Sequence, residues 1–119
     1  MSFLLIPSFL FRAFFAEEAE NGKEAVGIIQ NSVPGEYTAV LMDVQMPVMN
    51  GYEATKAIRH LPNEKLAAIP ILAMTANAFE EDKKQAFEHG MNGHIAKPID
   101  IKLVIFFIFS CLFSHFILF

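Results

Sequence analysis

The stretch Leu41-Met42-Asp43-Val44-Gln45-Met46-Pro47-Val48-Met49-Asn50-Gly51 decides the fold. Upstream of the acid, Thr38-Ala39-Val40-Leu41-Met42 is a short run with little polar interruption. Such a run predicts a strand with both faces covered, as in a parallel sheet flanked by helices. Asp43 ends it. Pro47 and Gly51 then break regular structure, and a helical pattern follows over Tyr52–His60 until Pro62 stops it.

The same unit recurs on either side. Asn21-Gly22 opens a helix predicted over Lys23–Gln30, with Ala25, Val26 and Ile29 facing inward, and Val33-Pro34-Gly35 ends it. Downstream, Ile69–Met74 predicts a strand that ends on Thr75, followed by a helix over Phe79–His89. Gly90-Met91-Asn92-Gly93 makes a turn, and His94-Ile95-Ala96 predicts a last short strand ending on Lys97-Pro98. Strands alternating with helices of this length indicate an α/β fold built on a parallel sheet. Ligands of open parallel sheets bind beyond the carboxyl ends of the strands. Three successive strands end there in an acid, a hydroxyl and a base: Asp43, Thr75 and Lys97. An aspartate so placed can act as a nucleophile toward phosphorus. A lysine supplies a compact positive charge for phosphoryl oxygens, and a threonine hydroxyl supplies a hydrogen-bond donor.

Composition narrows the alternatives. With 119 residues the chain holds at most one small domain. Its net charge of −4 excludes a surface that coats nucleic acid. One cysteine, Cys111, excludes a disulfide framework or a multi-cysteine zinc site. Mean hydropathy is +0.39, high for a soluble domain, and the apolar residues are unevenly spread. Of 13 phenylalanines only Phe79 and Phe87 lie between residues 16 and 102, whereas Arg12 is the only charged residue outside that span. The chain therefore divides into an apolar segment 1–16, a mixed central part 17–102 and an apolar tail 103–119.

The central motifs resemble those of the receiver domains of two-component systems, and most closely the receivers attached to hybrid histidine kinases. Leu41–Gly51 looks like that family's phosphoacceptor loop. Ala73-Met74-Thr75-Ala76-Asn77-Ala78 looks like its switch-threonine strand, and Gly93-His94-Ile95-Ala96-Lys97-Pro98-Ile99 like its lysine strand. Ala19-Glu20-Asn21-Gly22 resembles the turn after its second strand. The resemblance implies a flavodoxin-like sheet and a cytoplasmic phosphorelay module, not an enzyme in its own right. Asp43 would take phosphate from a histidine kinase or a histidine-phosphotransfer domain. Thr75 and Lys97 would hold the phosphoryl group, with a cis peptide bond from Lys97 to Pro98. His94 would occupy the switch position, usually aromatic. Mg²⁺ would be held by Asp43 and the Gln45 backbone carbonyl.

Two departures stand out. The family's first strand, its first helix and the acidic pair that supplies metal-binding carboxylates are not recognisable, which implies weak or lost Mg²⁺ binding and an unpaired edge beside the Asp43 strand. The tail Leu103–Phe119 has no polar face, unlike an ordinary surface helix, and reaches the short end of the range of about 17–25 residues for a membrane span. The same residues therefore leave open a decayed receiver fragment that is not phosphorylated, or a membrane-anchored interaction peptide.

Overall fold

The computed structural model describes residues 3–7, 19–44, 49–76, 80–98, 100 and 102–107. In chain order these form β1 (Phe3–Pro7), α1 (Gly22–Gln30), β2 (Tyr37–Asp43), α2 (Gly51–Arg59), α3 (Glu64–Ala67), β3 (Ile71–Thr75), α4 (Glu80–Glu88), β4 (Gly93–Ala96) and a helix over 102–107, here α5. Every element predicted between residues 22 and 96 is present, with ends displaced by one or two residues. The single turn α3 was not predicted. Asn63 begins it, accepting hydrogen bonds from the Lys65 and Leu66 amides at 3.0 and 3.3 Å.

Local chemistry starts the helices where the sequence places them. The Asn21 side chain accepts from the Glu24 amide at 2.9 Å and caps α1. At α2 the capping is reciprocal: Asn50 accepts from the Glu53 amide at 2.9 Å while Glu53 accepts from the Asn50 amide at 3.3 Å. The N-terminus of α2 is thereby pinned eight residues after Asp43.

The sheet order is β1-β2-β3-β4. β2, β3 and β4 run parallel, with Val40 beside Ile71, Asp43 beside Met74, and Thr75 beside Ala96. The expected open edge beside β2 is not found. Phe3–Pro7 occupies it, antiparallel, with Leu4 opposite Leu41 and Leu5 opposite Val40. An apolar extended segment can satisfy the backbone groups of a neighbouring strand in either direction, so residues without the family's first-strand motif still close that side of the ladder.

Alternation along the strands divides the interior into two cores. Val40, Met42, Ile71 and Ala73 point to one face, where Ala25 and Ile29 of α1, Ala54 and Ile58 of α2 and Ala86 of α4 cover them. Ala39, Leu41, Leu72, Met74 and Ile95 point to the other, where Val104 and Phe107 of α5 pack. Val104 is only 1% exposed, whereas Phe106 is 72% exposed. The opening of the apolar tail thus covers the sheet rather than standing apart from it, because one turn of helix is enough to turn two of its side chains inward. Gly93 makes this close contact possible: a Cβ there would lie 2.6 Å from the Phe107 ring and 2.9 Å from Leu72. Residues 108–119 lie outside the described residues.

Arg59, at the end of α2, joins two connections, α3–β3 and α4–β4. Its Nε donates to the Gly90 carbonyl at 2.9 Å, Nη1 to the Ala67 and Ile69 carbonyls at 2.6 and 2.7 Å, and Nη2 to Asn92 Oδ1 at 2.8 Å. The same Asn92 oxygen accepts from the Ile71 amide at 2.9 Å. Burial lowers the guanidinium pKa from its usual value, yet an arginine remains charged throughout the working pH range. Nearby, Tyr52 stacks on His89 with ring centroids 4.2 Å apart, joining α2 to the end of α4. Replacing Arg59 with methionine is expected to lower unfolding stability by about 1–3 kcal/mol, because it leaves half-buried carbonyls without their donor. The midpoint of urea unfolding, compared with wild type at constant m-value, measures this.

Candidate functional site

β2, β3 and β4 bring their carboxyl ends to one rim. Asp43 is 8% exposed and Thr75 is 5% exposed, so both polar groups sit almost wholly inside the protein. Lys97, one residue beyond β4, reaches back with Nζ to form an ion pair with Asp43 Oδ2. Its side chain remains 43% exposed, so the ammonium bridges the buried carboxylate and solvent. The Lys97 amide donates to the Thr75 carbonyl at 2.8 Å, which ties the lysine's position to the end of β3. The Lys97-Pro98 peptide bond is cis, as expected.

Thr75 makes a side-chain contact with β4. Its Oγ1 lies 2.9 Å from His94 Nε2. Both side chains stand on the face opposite Met74 and Ile95, so strand alternation puts them together. This hydrogen bond was not legible in the sequence. The residues lie 19 apart, and only the β3–β4 register, with Ala73 beside His94, makes them neighbours.

The backbone near Asp43 is held by a close approach of α2. The Gly51 amide donates to the Val44 carbonyl at 3.1 Å, and a Cβ on Gly51 would lie 2.5 Å from the Asp43 carbonyl oxygen and 2.9 Å from Val44 Cα. Thr55, one turn into α2, is fully buried and donates to the Gly51 carbonyl at 2.8 Å. The glycine in the quoted stretch is therefore required by contact with the acid's own peptide.

The donor set for a metal is thin. Asp43 is a carboxylate at this rim, and its Oδ2 already faces the Lys97 ammonium. Among the described residues no group of three or more His, Cys, Asp or Glu side chains could hold a metal ion. Gln45, whose carbonyl was an expected ligand, lies outside the described residues. The described side chains thus do not make up a magnesium site. Among the described residues no helix is long and apolar enough to cross a membrane.

This fold and rim define a class of signalling module, the receiver domain that accepts a phosphoryl group. The response regulator receiver domain family matches residues 10–106, and the chain is a member of it. It is 42% identical over 99 residues to Histidine kinase 1 of Arabidopsis thaliana, covering 83% of this chain and 8% of that protein. The chain thus spans less than a tenth of that relative's length. Among solved structures it resembles the receiver domain of sensor histidine kinase PA1611 from Pseudomonas aeruginosa, with a TM-score of 0.65, 32% identity, and 84% and 79% of the two chains covered. That receiver has a magnesium ion coordinated in its active-site cleft. It also resembles the receiver domain of Ssk1 from Saccharomyces cerevisiae, crystallised with the histidine phosphotransfer protein Ypd1, at a TM-score of 0.68 and 28% identity, with 82% and 70% covered.

Gly51→Ala is expected to destabilise the fold by about 1–3 kcal/mol, since the added carbon meets backbone rather than a movable side chain. Thermal melting against a Gly27→Ala control, where a Cβ has nothing within 4 Å, separates this clash from a general effect of removing glycine.

Proposed function

We propose that Asp43 is the phosphoacceptor of this receiver domain. Its donor is the phosphohistidine of a histidine kinase or a histidine-phosphotransfer domain. The observation that carries the reading is the ion pair of a nearly buried Asp43 with a half-exposed Lys97 at the carboxyl rim of a parallel sheet. A carboxylate oxygen of Asp43 attacks phosphorus, the P–N bond to the donor imidazole breaks, and the imidazole keeps the electron pair and takes up a proton. Lys97 then follows the charge outward, from the carboxylate to the phosphoryl oxygens. Its exposure lets it do so without burying a new ion. Thr75 offers its hydroxyl to the same group.

Phosphoryl transfer depends on positioning and on neutralising charge. Here Lys97 is the cation supplied by the described residues. Magnesium, when bound, would add further neutralisation. With the Asp43 carboxylate and the Gln45 carbonyl as its ligands, we place its affinity below that of a site with several carboxylates. The chain turns over no substrate of its own beyond promoting its own phosphorylation and dephosphorylation. It works in the cytoplasm as one part of a larger signalling protein such as a hybrid histidine kinase.

Acetyl phosphate labelling followed by intact-mass measurement tests the assignment. Wild type is expected to gain one phosphoryl group, Asp43→Asn none, and Lys97→Ala to label at least about tenfold more slowly, in line with the loss of one charge-stabilising group. A second reading, a receiver fragment that no longer accepts phosphate, is favoured by the lack, among the described residues, of a group of three or more His, Cys, Asp or Glu side chains that could hold a metal ion. It stands if wild type stays unlabelled at saturating Mg²⁺.

Metal dependence is a separate expectation. Mn²⁺ binding followed by water-proton relaxation should be weak in wild type and weaker still in Asp43→Asn. Tight binding that survives Asp43→Asn would place the metal elsewhere.

A further inference from the structure

Building on Asp43 as acceptor, we infer that Thr55 is a positioning residue for phosphoryl transfer. Its buried hydroxyl ties the first turn of α2 to the strand residue before Asp43, and so sets how that turn rests on the acid's own peptide.

The hydroxyl has one hydrogen and two acceptors within reach. The Gly51 carbonyl lies at 2.8 Å and Met42 Sδ at 3.1 Å. Thr55 and Met42 are both 0% exposed, so solvent does not compete for that hydrogen. The Gly51 carbonyl does not depend on it. In an α-helix that carbonyl takes the amide four residues on, which is Thr55's own. A hydroxyl that adds itself to such a carbonyl bends the helix and slightly destabilises it. A thioether is a weak acceptor and goes without a donor at little cost. A valine of nearly the same shape would therefore leave no strong polar group unpaired, and would spare the burial of a hydroxyl. What the oxygen provides is a link between α2 and β2.

That link falls beside the acid. Met42 precedes Asp43 on β2 and points into the core that α2 covers. Gly51 meets the chain on the other side of the same acid. Its amide donates to the Val44 carbonyl at 3.1 Å, and a Cβ on it would lie 2.5 Å from the Asp43 carbonyl oxygen. One turn of helix is thus fastened to the backbone before Asp43 through the Thr55 hydroxyl and after it through Gly51. Lys97 is placed separately, by its amide on the Thr75 carbonyl at 2.8 Å. A tilt of the first turn of α2 therefore moves the peptide from which the carboxylate projects without moving the lysine. Phosphoryl transfer depends on position, so such a tilt slows it although every group that touches phosphorus is unchanged.

The experiment has two arms on the full chain. In the first, amide hydrogen exchange of the unphosphorylated protein follows Gly51 against Ile58, deeper in α2. Thr55→Val is expected to lose protection at Gly51 while Ile58 keeps it, and Thr55→Ser to match wild type. Unchanged protection at Gly51 in Thr55→Val overturns the inference whether or not Asp43 is ever labelled. In the second arm, the rate of labelling by acetyl phosphate is measured beside thermal melting. Thr55→Val should label about tenfold more slowly, with a melting midpoint no lower than wild type, and Thr55→Ser should restore the rate. Met42→Leu removes the sulfur at nearly constant volume. It should also slow labelling, and adding Thr55→Val to it should slow labelling less than the product of the two effects, since both variants cut one contact. A wild-type rate in Thr55→Val, a serine that fails to restore the rate, or effects that multiply overturns the inference. Should Thr55→Val melt below wild type, Met42→Leu decides in its place: slower labelling supports the inference and a wild-type rate overturns it. Absence of label in wild type instead overturns the assignment of Asp43, and the exchange arm still decides what holds α2.

Discussion

The parallel registers β2–β3 and β3–β4 are the constraint on which the rest of this domain depends. They set Asp43 beside Met74 and Thr75 beside Ala96, and so bring three strand ends to one rim within reach of a single lysine side chain. A shift of one residue in either register would turn Asp43 or Thr75 to the other face and exchange the two apolar cores. The registers are held because both faces are buried. Val40, Met42, Ile71 and Ala73 cannot trade places with Leu41, Leu72 and Met74 without mismatching helices on both sides.

The site inherits its rigidity from groups that carry no phosphoryl chemistry. Gly51 lets α2 press on the peptide of Asp43, and the Asn50–Glu53 capping box fixes where that helix starts. Arg59, at the other end of the same helix, binds the carbonyls of two connections, and its partner Asn92 positions the first amide of β3. One short helix therefore ties the acid at the rim to the opposite end of the sheet. The lysine, by contrast, is left half exposed while it pairs with the nearly buried acid.

The two apolar ends meet the fold differently. Phe3–Pro7 pairs through its backbone and runs against the other strands, a role that demands extended, apolar chain more than particular residues. α5 contributes Val104 and Phe107 to a core that Gly93 leaves room for, a role that depends on side-chain position. Both ends differ from the pattern of the receiver family, and both supply cover to a sheet that would otherwise leave apolar surface and ladder groups in water.

By itself the sequence determined the alternation of strands and helices, the strand ends Asp43, Thr75 and Lys97, and the family to which they point. Periodicity, proline, glycine and asparagine act over a few residues, and those signals lie on one stretch of chain. The antiparallel return of Phe3–Pro7, the hydrogen bond between Thr75 and His94, and the four acceptors gathered by Arg59 were decided only by the tertiary structure. Each joins residues far apart in the chain, and what selects them is the register and packing of elements that no local pattern encodes.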